Sequence, residues 1–225
     1  MAEIRHVDVL EPLLKANDYL ARRLQQEWTD RGTLVVNLLS SPGAGKTTLL
    51  EATLRQMRDR FRILVLEGDI ETDRDAERIR ALGVDAVQIT TGGTCHLEAH
   101  MIEQAWRPLA DRTGYDFIFI ENVGNLVCPA SYALGEHLRV VLLSVPEGDD
   151  KPKKYPKAFR TASVLLITKW DLLPHFDFNP DHAQREALDL NPDLTVLRLS
   201  ARTGEGIDAW IRLLEESRQR IRSSR

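Results

Sequence analysis

Cysteine, aromatic residues and long apolar runs are all scarce in this chain of 225 residues. Two cysteines, Cys95 and Cys128, are too few for the disulfide framework of a small secreted scaffold. Met1 is followed by charged residues instead of an apolar signal segment, so a reducing cytoplasm is the expected compartment. The longest apolar runs, such as Val164 to Ile167, are only strand-length. They fall far below the roughly 20 residues a bilayer span requires, and no membrane span is expected. Basic charge is not in excess either. Thirty Lys and Arg stand against 34 Asp and Glu, a net charge of −4 that excludes a general nucleic-acid binder and leaves anion binding to local sites. With 43% apolar and 28% charged residues, the chain has enough material for one α/β domain and a short appended helix.

From Thr33 onward, β-branched runs alternate with amphipathic stretches, the pattern of a mostly parallel, doubly wound sheet flanked by helices. About seven strands are expected, at 34–39, 63–67, 86–90, 117–121, 140–145, 164–168 and 195–199. The runs Phe117 to Ile120 and Val140 to Leu143 lack polar alternation, as central strands covered on both faces should. Ahead of them Val9, Leu10, Leu13, Leu14, Leu20 and Leu24 recur at helical spacing, and Gly32 closes the segment. The chain divides into a leading helix at 1–32 and one domain at 33–225. Two readings of the helix stand open: packing on the sheet, or docking a partner.

Directly after the first strand comes Ser40-Ser41-Pro42-Gly43-Ala44-Gly45-Lys46-Thr47-Thr48, then a helix-favouring run. Strand, glycine loop and helix together aim successive N–H groups and a helix terminus at phosphate, the arrangement of a P-loop NTPase. Lys46 would reach the β- and γ-phosphates and the Thr47 hydroxyl would ligate Mg²⁺. Ser40 stands where the usual pattern begins with glycine. The later strands choose the base. Thr168-Lys169-Trp170-Asp171 resembles the N-K-x-D signature of GTPases, with Asp171 accepting from the guanine N1–H and N2 amine, and Lys169 laid along the base. Ser200-Ala201-Arg202 resembles their S-A-K loop. Adenine would leave the buried carboxylate unpaired, so GTP and GDP are the expected ligands.

Two acidic strand ends face the phosphate loop in this topology, Glu67-Gly68-Asp69 and Glu121-Asn122-Val123-Gly124, and both are candidates for the Mg²⁺ shell. Lys46, Asp69, Glu121 and Gly124 form the expected catalytic set. Asp75 is a further metal candidate, and as readily a first-turn charge on a solvated helix. The polar stretch from Ile70 to Asp75 suits a mobile switch. Asn125 occupies the slot where many GTPases carry a water-orienting Gln, and its shorter side chain predicts slow intrinsic turnover. Cys95, His96 and Cys128 lie on loops at the carboxyl ends of strands, a soft ligand set suited to Zn²⁺ or Ni²⁺. Water, His100 or a second subunit could complete it.

These residues resemble one family closely, the HypB hydrogenase nickel-incorporation GTPases, metallochaperones of the dimerising P-loop class. The resemblance rests on the phosphate loop, Glu67 to Asp69, Thr91 to Leu97, Glu121 to Pro129, and Glu147 to Pro152 with Lys154 to Pro156. It implies that GTP hydrolysis controls nickel delivery to a [NiFe]-hydrogenase large-subunit precursor, with Cys95, His96 and Cys128 as the metal site. It further implies a GTP-stabilised homodimer, and a small zinc-containing nickel chaperone that contacts the amino-terminal region. The C-x-x-C-G-C or histidine-rich tract that opens some relatives is not in this sequence. Rival readings are a urease accessory-type nickel GTPase, a passive metal-binding module and a small-molecule kinase. The 125–129 run and the 149–156 loop favour the hydrogenase reading over the urease one. Intact Lys46, Thr47 and Asp171 argue against a passive module.

Overall fold

A computed structural model of the protein describes residues 10–69, 74–112 and 114–223. Its centre is a seven-stranded sheet in the order β3-β2-β4-β1-β5-β6-β7. The strands are β1 (Leu34–Ser40), β2 (Ile63–Asp69), β3 (Asp85–Thr90), β4 (Phe117–Glu121), β5 (Leu138–Ser144), β6 (Val164–Thr168) and β7 (Thr195–Arg198). Every neighbouring pair is parallel, so the sheet is wholly parallel where a mostly parallel one was expected. All seven expected strands are present, with ends shifted by a residue or two. Val145, read as strand, instead opens a 3₁₀ turn over Val145–Glu147. Pro146 cannot donate to a ladder, and the Glu147 carboxylate takes the Ser144 N–H and hydroxyl at 2.9 and 2.6 Å, which stops the strand there.

Helices cover both faces, because buried parallel strands are apolar on both sides. On one face α2 (Lys46–Met57), α3 (Arg74–Arg80) and α8 (Ile207–Ser223) pack through Leu50, Leu54, Ile79, Trp210 and Leu214 onto Val36, Leu38, Phe119 and Leu142. On the other, α1 (Leu10–Arg31) and α4 (Ala99–Trp106) pack through Leu24, Trp28, Ile102 and Trp106 onto Val35, Leu66, Ile118 and Ile120. Alongside them, the short α5 (Lys151–Lys154) and α6 (Pro156–Arg160) and the longer α7 (Pro180–Leu190) close the β5–β7 half. The buried side of α1 is Asn17, Ala21, Leu24 and Trp28; Leu13, assigned to the apolar stripe from its spacing, is exposed. Val9 lies outside the described residues. No helix among the described residues is long and apolar enough to cross a membrane.

The strand order reverses at β1, which β4 flanks on one side and β5 on the other. In open parallel sheets the crevice outside the carboxyl ends of such a switch point is where ligands bind. The phosphate loop leaves β1 there, with the 122–128 segment leaving β4 beside it.

Candidate functional site

The phosphate loop turns through Gly43 and Gly45, both at positive φ, and α2 starts at Lys46. Ser40, fully buried in the place of the usual first glycine, gives its hydroxyl to Ser41 O at 2.6 Å and accepts from Lys46 Nζ at 3.1 Å. A small hydroxyl residue there holds the lysine against the loop. Thr48 is on the next turn of surface, lining the adjoining cavity with Ala44 and Gly45.

That cavity, of about 190 Å³, lies between α2 and the ends of β6 and β7, and Leu49, Leu172 and Leu199 give it apolar walls. Asp171, Ala201 and Arg202 also line it. The Ser200 hydroxyl donates to Asp171 Oδ1 at 2.6 Å and fixes the carboxylate. The residues that depart from the GTPase signature tie this cavity to the glycine loop. Thr168 Oγ1 donates to Ala44 O at 2.8 Å, and Lys169, held at φ +55°, places Nζ 2.7 Å from Gly43 O. Asp171 does not cap a helix, the alternative open to an aspartate before Leu172-Leu173-Pro174; it sits within a 3₁₀ turn and its side chain is engaged with Ser200.

Beyond Lys46 two carboxylates meet. Glu67 on β2 and Glu121 on β4 are direct register partners and both are buried. Thr47 Oγ1 donates to Glu121 Oε1 at 2.8 Å, while Glu67 and Glu121 share a hydrogen bond and, apart from each other, leave Glu121 Oε2 and Glu67 Oε1 buried without a partner. Burial raises the pKa of both, and the Glu121 charge raises Glu67 further; Lys46 opposes the shift at each. Two buried carboxylates beside a hydroxyl, with oxygen atoms left over, form a hard donor set that fits a Mg²⁺ ion. Glu67 belongs to the acidic motif read from the sequence but was given no role of its own there. The register of β2 on β4, which sequence does not show, brings it opposite Glu121. Asp69 follows on the same side of β2 by strand alternation. Asp75 is ion-paired with Arg78 at 2.9 Å, and its charge also raises both glutamates. Ile70 to Asp73, most of the expected switch, lie outside the described residues.

Gly124 packs directly on the phosphate loop: a Cβ there would come within 3.1 Å of Pro42 Cα, so a side chain would push the two loops apart. Asn125, read as the slot of a water-orienting residue, is turned the other way. Its Oδ1 accepts from Val127 N at 2.8 Å and its Nδ2 donates to Cys95 O at 3.5 Å.

Cys95, His96 and Cys128 come together, their ligand atoms all within 4.8 Å of one another, each residue half-buried. A hydrogen bond with Cys95, then burial, holds the Cys128 thiol above its ordinary pKa. Sequence reasoning missed two neighbours. Tyr132 stacks on His96 with ring centroids 4.1 Å apart, and Glu98 lies 3.4 Å from His96 Nε2. His100 is half-exposed and outside this trio; its Nδ1 lies 3.4 Å from the other oxygen of Glu98. Three lysines of the 151–157 segment have partners: Lys157 donates to Ser131 at 2.8 Å, Lys154 pairs with Asp150 at 2.5 Å and Lys151 lies 3.9 Å from Glu147.

A family model described as CobW/HypB/UreG, nucleotide-binding domain, matches residues 34–198. The hydrogenase maturation factor HypB of Rhizobium leguminosarum bv. viciae is 48% identical over 225 residues, 99% of this chain and 75% of that protein. A crystal structure of HypB from Helicobacter pylori in complex with nickel is similar at TM-score 0.86 and 43% identity, over 91% of this chain and 96% of that one. HypB from Archaeoglobus fulgidus is similar at TM-score 0.84 and 36% identity, over 91% of this chain and 99% of that one.

Proposed function

Because the chain belongs to the CobW/HypB/UreG family and, within it, to the HypB hydrogenase maturation factors, we propose that it is a GTP-hydrolysing nickel metallochaperone that gates nickel delivery to a [NiFe]-hydrogenase precursor. One observation carries this reading. The segment 121–128 begins at the carboxylate bonded to Thr47, passes Gly124 against the phosphate loop, and ends at a thiol of the soft-metal trio. A change at the terminal phosphate therefore has a covalent path of seven residues to the cargo.

In this reading Gly43, Ala44, Gly45, Lys46, Thr47 and Thr48 hold the phosphates, and Lys169, Asp171, Ser200, Ala201 and Arg202 recognise guanine. Thr47 and Glu121, with Glu67, Asp69 and Asp75 nearby, would hold Mg²⁺, which supplies charge neutralisation at the β- and γ-phosphates when bound. Cys95, His96 and Cys128 take nickel or zinc as cargo. The Asn125 amide faces the metal segments, which supports slow intrinsic turnover. A GTP-linked homodimer would assist it. A small zinc-containing nickel chaperone and the hydrogenase large-subunit precursor are the proposed partners, in the cytoplasm.

The test is a transfer assay. Nickel-loaded protein is mixed with a nickel-free hydrogenase large-subunit precursor and Mg²⁺, and nickel on the acceptor is followed with GTP, a non-hydrolysable GTP analogue or ATP. GTP alone should drive full transfer. Equal transfer under all three conditions contradicts the reading.

A further inference from the structure

Helix α1 carries a stripe at four-residue spacing, Asn17, Ala21, Gln25 and Thr29, that lies along segment 133–137. Gln25 Nε2 donates to Glu136 O at 2.7 Å, and Thr29 Oγ1 meets His137 Nε2 at 3.0 Å. The approach is close enough that a Cβ on Gly135 would lie 2.7 Å from the Trp28 ring. Asn17 does something the other two do not. Its Nδ2 donates to Ala133 O at 2.9 Å, and its Oδ1 accepts from Ala99 N at 2.8 Å.

Those two partners belong to the two arms of the metal cluster. Ala99 opens α4 three residues after His96, and Ala133 follows Tyr132, the ring stacked on His96, five residues after Cys128. The residue capping α4, Glu98, makes no side-chain cap bond, so Asn17 satisfies one of the N–H groups that a helix start leaves open. One buried amide, 8% exposed, thereby joins the Cys95–His96 arm to the Cys128 arm from a helix that supplies no ligand.

We propose that Asn17 is a positioning residue of the soft-metal cluster: it clamps the two ligand-bearing arms from outside, so that the seating of α1 tunes how tightly the ion is held. The proposal rests on reading Cys95, His96 and Cys128 as the metal site. The physical argument is preorganisation. Asn122 and Asn125 also join the arms, from within the Cys128 arm itself, at 3.4 Å to Leu97 N and 3.5 Å to Cys95 O. Asn17 does so from outside both arms and with bonds of 2.8 and 2.9 Å, and a cluster whose ligands must be gathered on binding holds its ion less tightly. A load on α1 would reach the ion by the same route.

The experiment titrates the full-length chain with nickel sulfate against a chromophoric chelator and records the thiolate-to-nickel charge-transfer absorption. Asn17→Ala should lower nickel affinity by roughly tenfold or more, the usual size for losing a partner outside the ligand set, and change that absorption while sparing GDP affinity. Asn17→Asp keeps an acceptor for Ala99 N but loses the donor to Ala133 O, and should fall between. Gln25→Ala removes a comparable tether from the same helix and should bind nickel as the wild type does. Wild-type affinity and spectrum in Asn17→Ala, or an equal loss in Gln25→Ala, overturns the proposal. If Asn17→Ala does not fold, Asn17→Asp against Gln25→Ala decides on the same terms. Cys128→Ala separates the two levels. If it loses nickel while the Asn17 variants keep it, only the positioning role falls; if it keeps nickel, the cluster reading falls and this proposal with it.

Discussion

The Thr47 hydroxyl, on the first turn of α2, donates to Glu121 Oε1 at the end of β4, 2.8 Å away. That bond joins the phosphate loop to the segment that carries Gly124 and Cys128, and the other neighbour of Glu121 is the buried Glu67 carboxyl. Removing the hydroxyl should cost the Mg²⁺-dependent part of nucleotide affinity. Thr47→Ala is expected to bind GDP in chelator as the wild type does, and to gain little when Mg²⁺ is added, measured by fluorescent-nucleotide titration. Glu121→Gln should show the same pattern, since an amide is a poor ligand for a hard cation.

In the proposed function Asp171 selects the base. Its carboxylate is pinned by Ser200 and lines an apolar-walled cavity, so an amide there would present a donor where guanine also donates. Asp171→Asn should lose roughly 1–3 kcal/mol of GTP binding, about a fivefold to 150-fold rise in Kd, and should gain for xanthine nucleotides, whose C2 oxygen accepts. Competition titrations with GTP, XTP and ATP check this. Unchanged GTP preference would show that the selectivity lies elsewhere.

His137 makes stability depend on pH. Its Nδ1 accepts from Val35 N at 3.0 Å, and burial lowers its pKa from the model-peptide 6.5 to about 4. The unfolded chain takes up this proton below about pH 6.5, while the folded one resists until about pH 4. The contribution of neutral His137 to stability is therefore full above 6.5 and falls as pH drops between those values, by about 3 kcal/mol. The raised carboxyls of Glu67 and Glu121 act in the opposite sense over the same range, so the check is the difference: the urea midpoint of the wild type should fall relative to that of His137→Asn as pH drops from 6.5 to 4.

The Cys128 thiol, held protonated by Cys95 and burial, must give up its proton to bind a metal ion. Apparent nickel affinity should rise as pH increases from mildly acidic to mildly alkaline. Cys128→Ala should remove nearly all of that uptake and leave GDP affinity within about twofold. Equilibrium dialysis at several pH values measures both.

The sheet was legible because each central strand is a continuous apolar run between glycine loops, and the phosphate loop because its glycines and Lys46-Thr47 sit in one short window. Asp171 and Ser200 were legible from two motifs that follow successive strands, while their direct contact across 29 residues was not. The Glu67–Glu121 pair was not, since it depends on the register between two strands whose partners lie 54 residues apart. Asn17 was hidden by an apolar pattern: a polar residue inside a helical stripe gives no sign that its partners are two distant loops. Leu13 misled through the same pattern, because spacing marks a face and not what covers it. Asn125 could be placed by its offset from Gly124, yet the direction of its side chain depends on Cys95, 30 residues away.

The most direct test of the shared segment is nickel titration of one preparation in GDP and in a non-hydrolysable GTP analogue, both with Mg²⁺, while recording molecular mass. If the 121–128 segment links the sites, nickel affinity should differ between the two states by at least about fivefold, and nickel must shift the ratio of the two nucleotide affinities by the same factor. Superimposable nickel isotherms in both nucleotides would contradict the link and leave two independent sites on one fold.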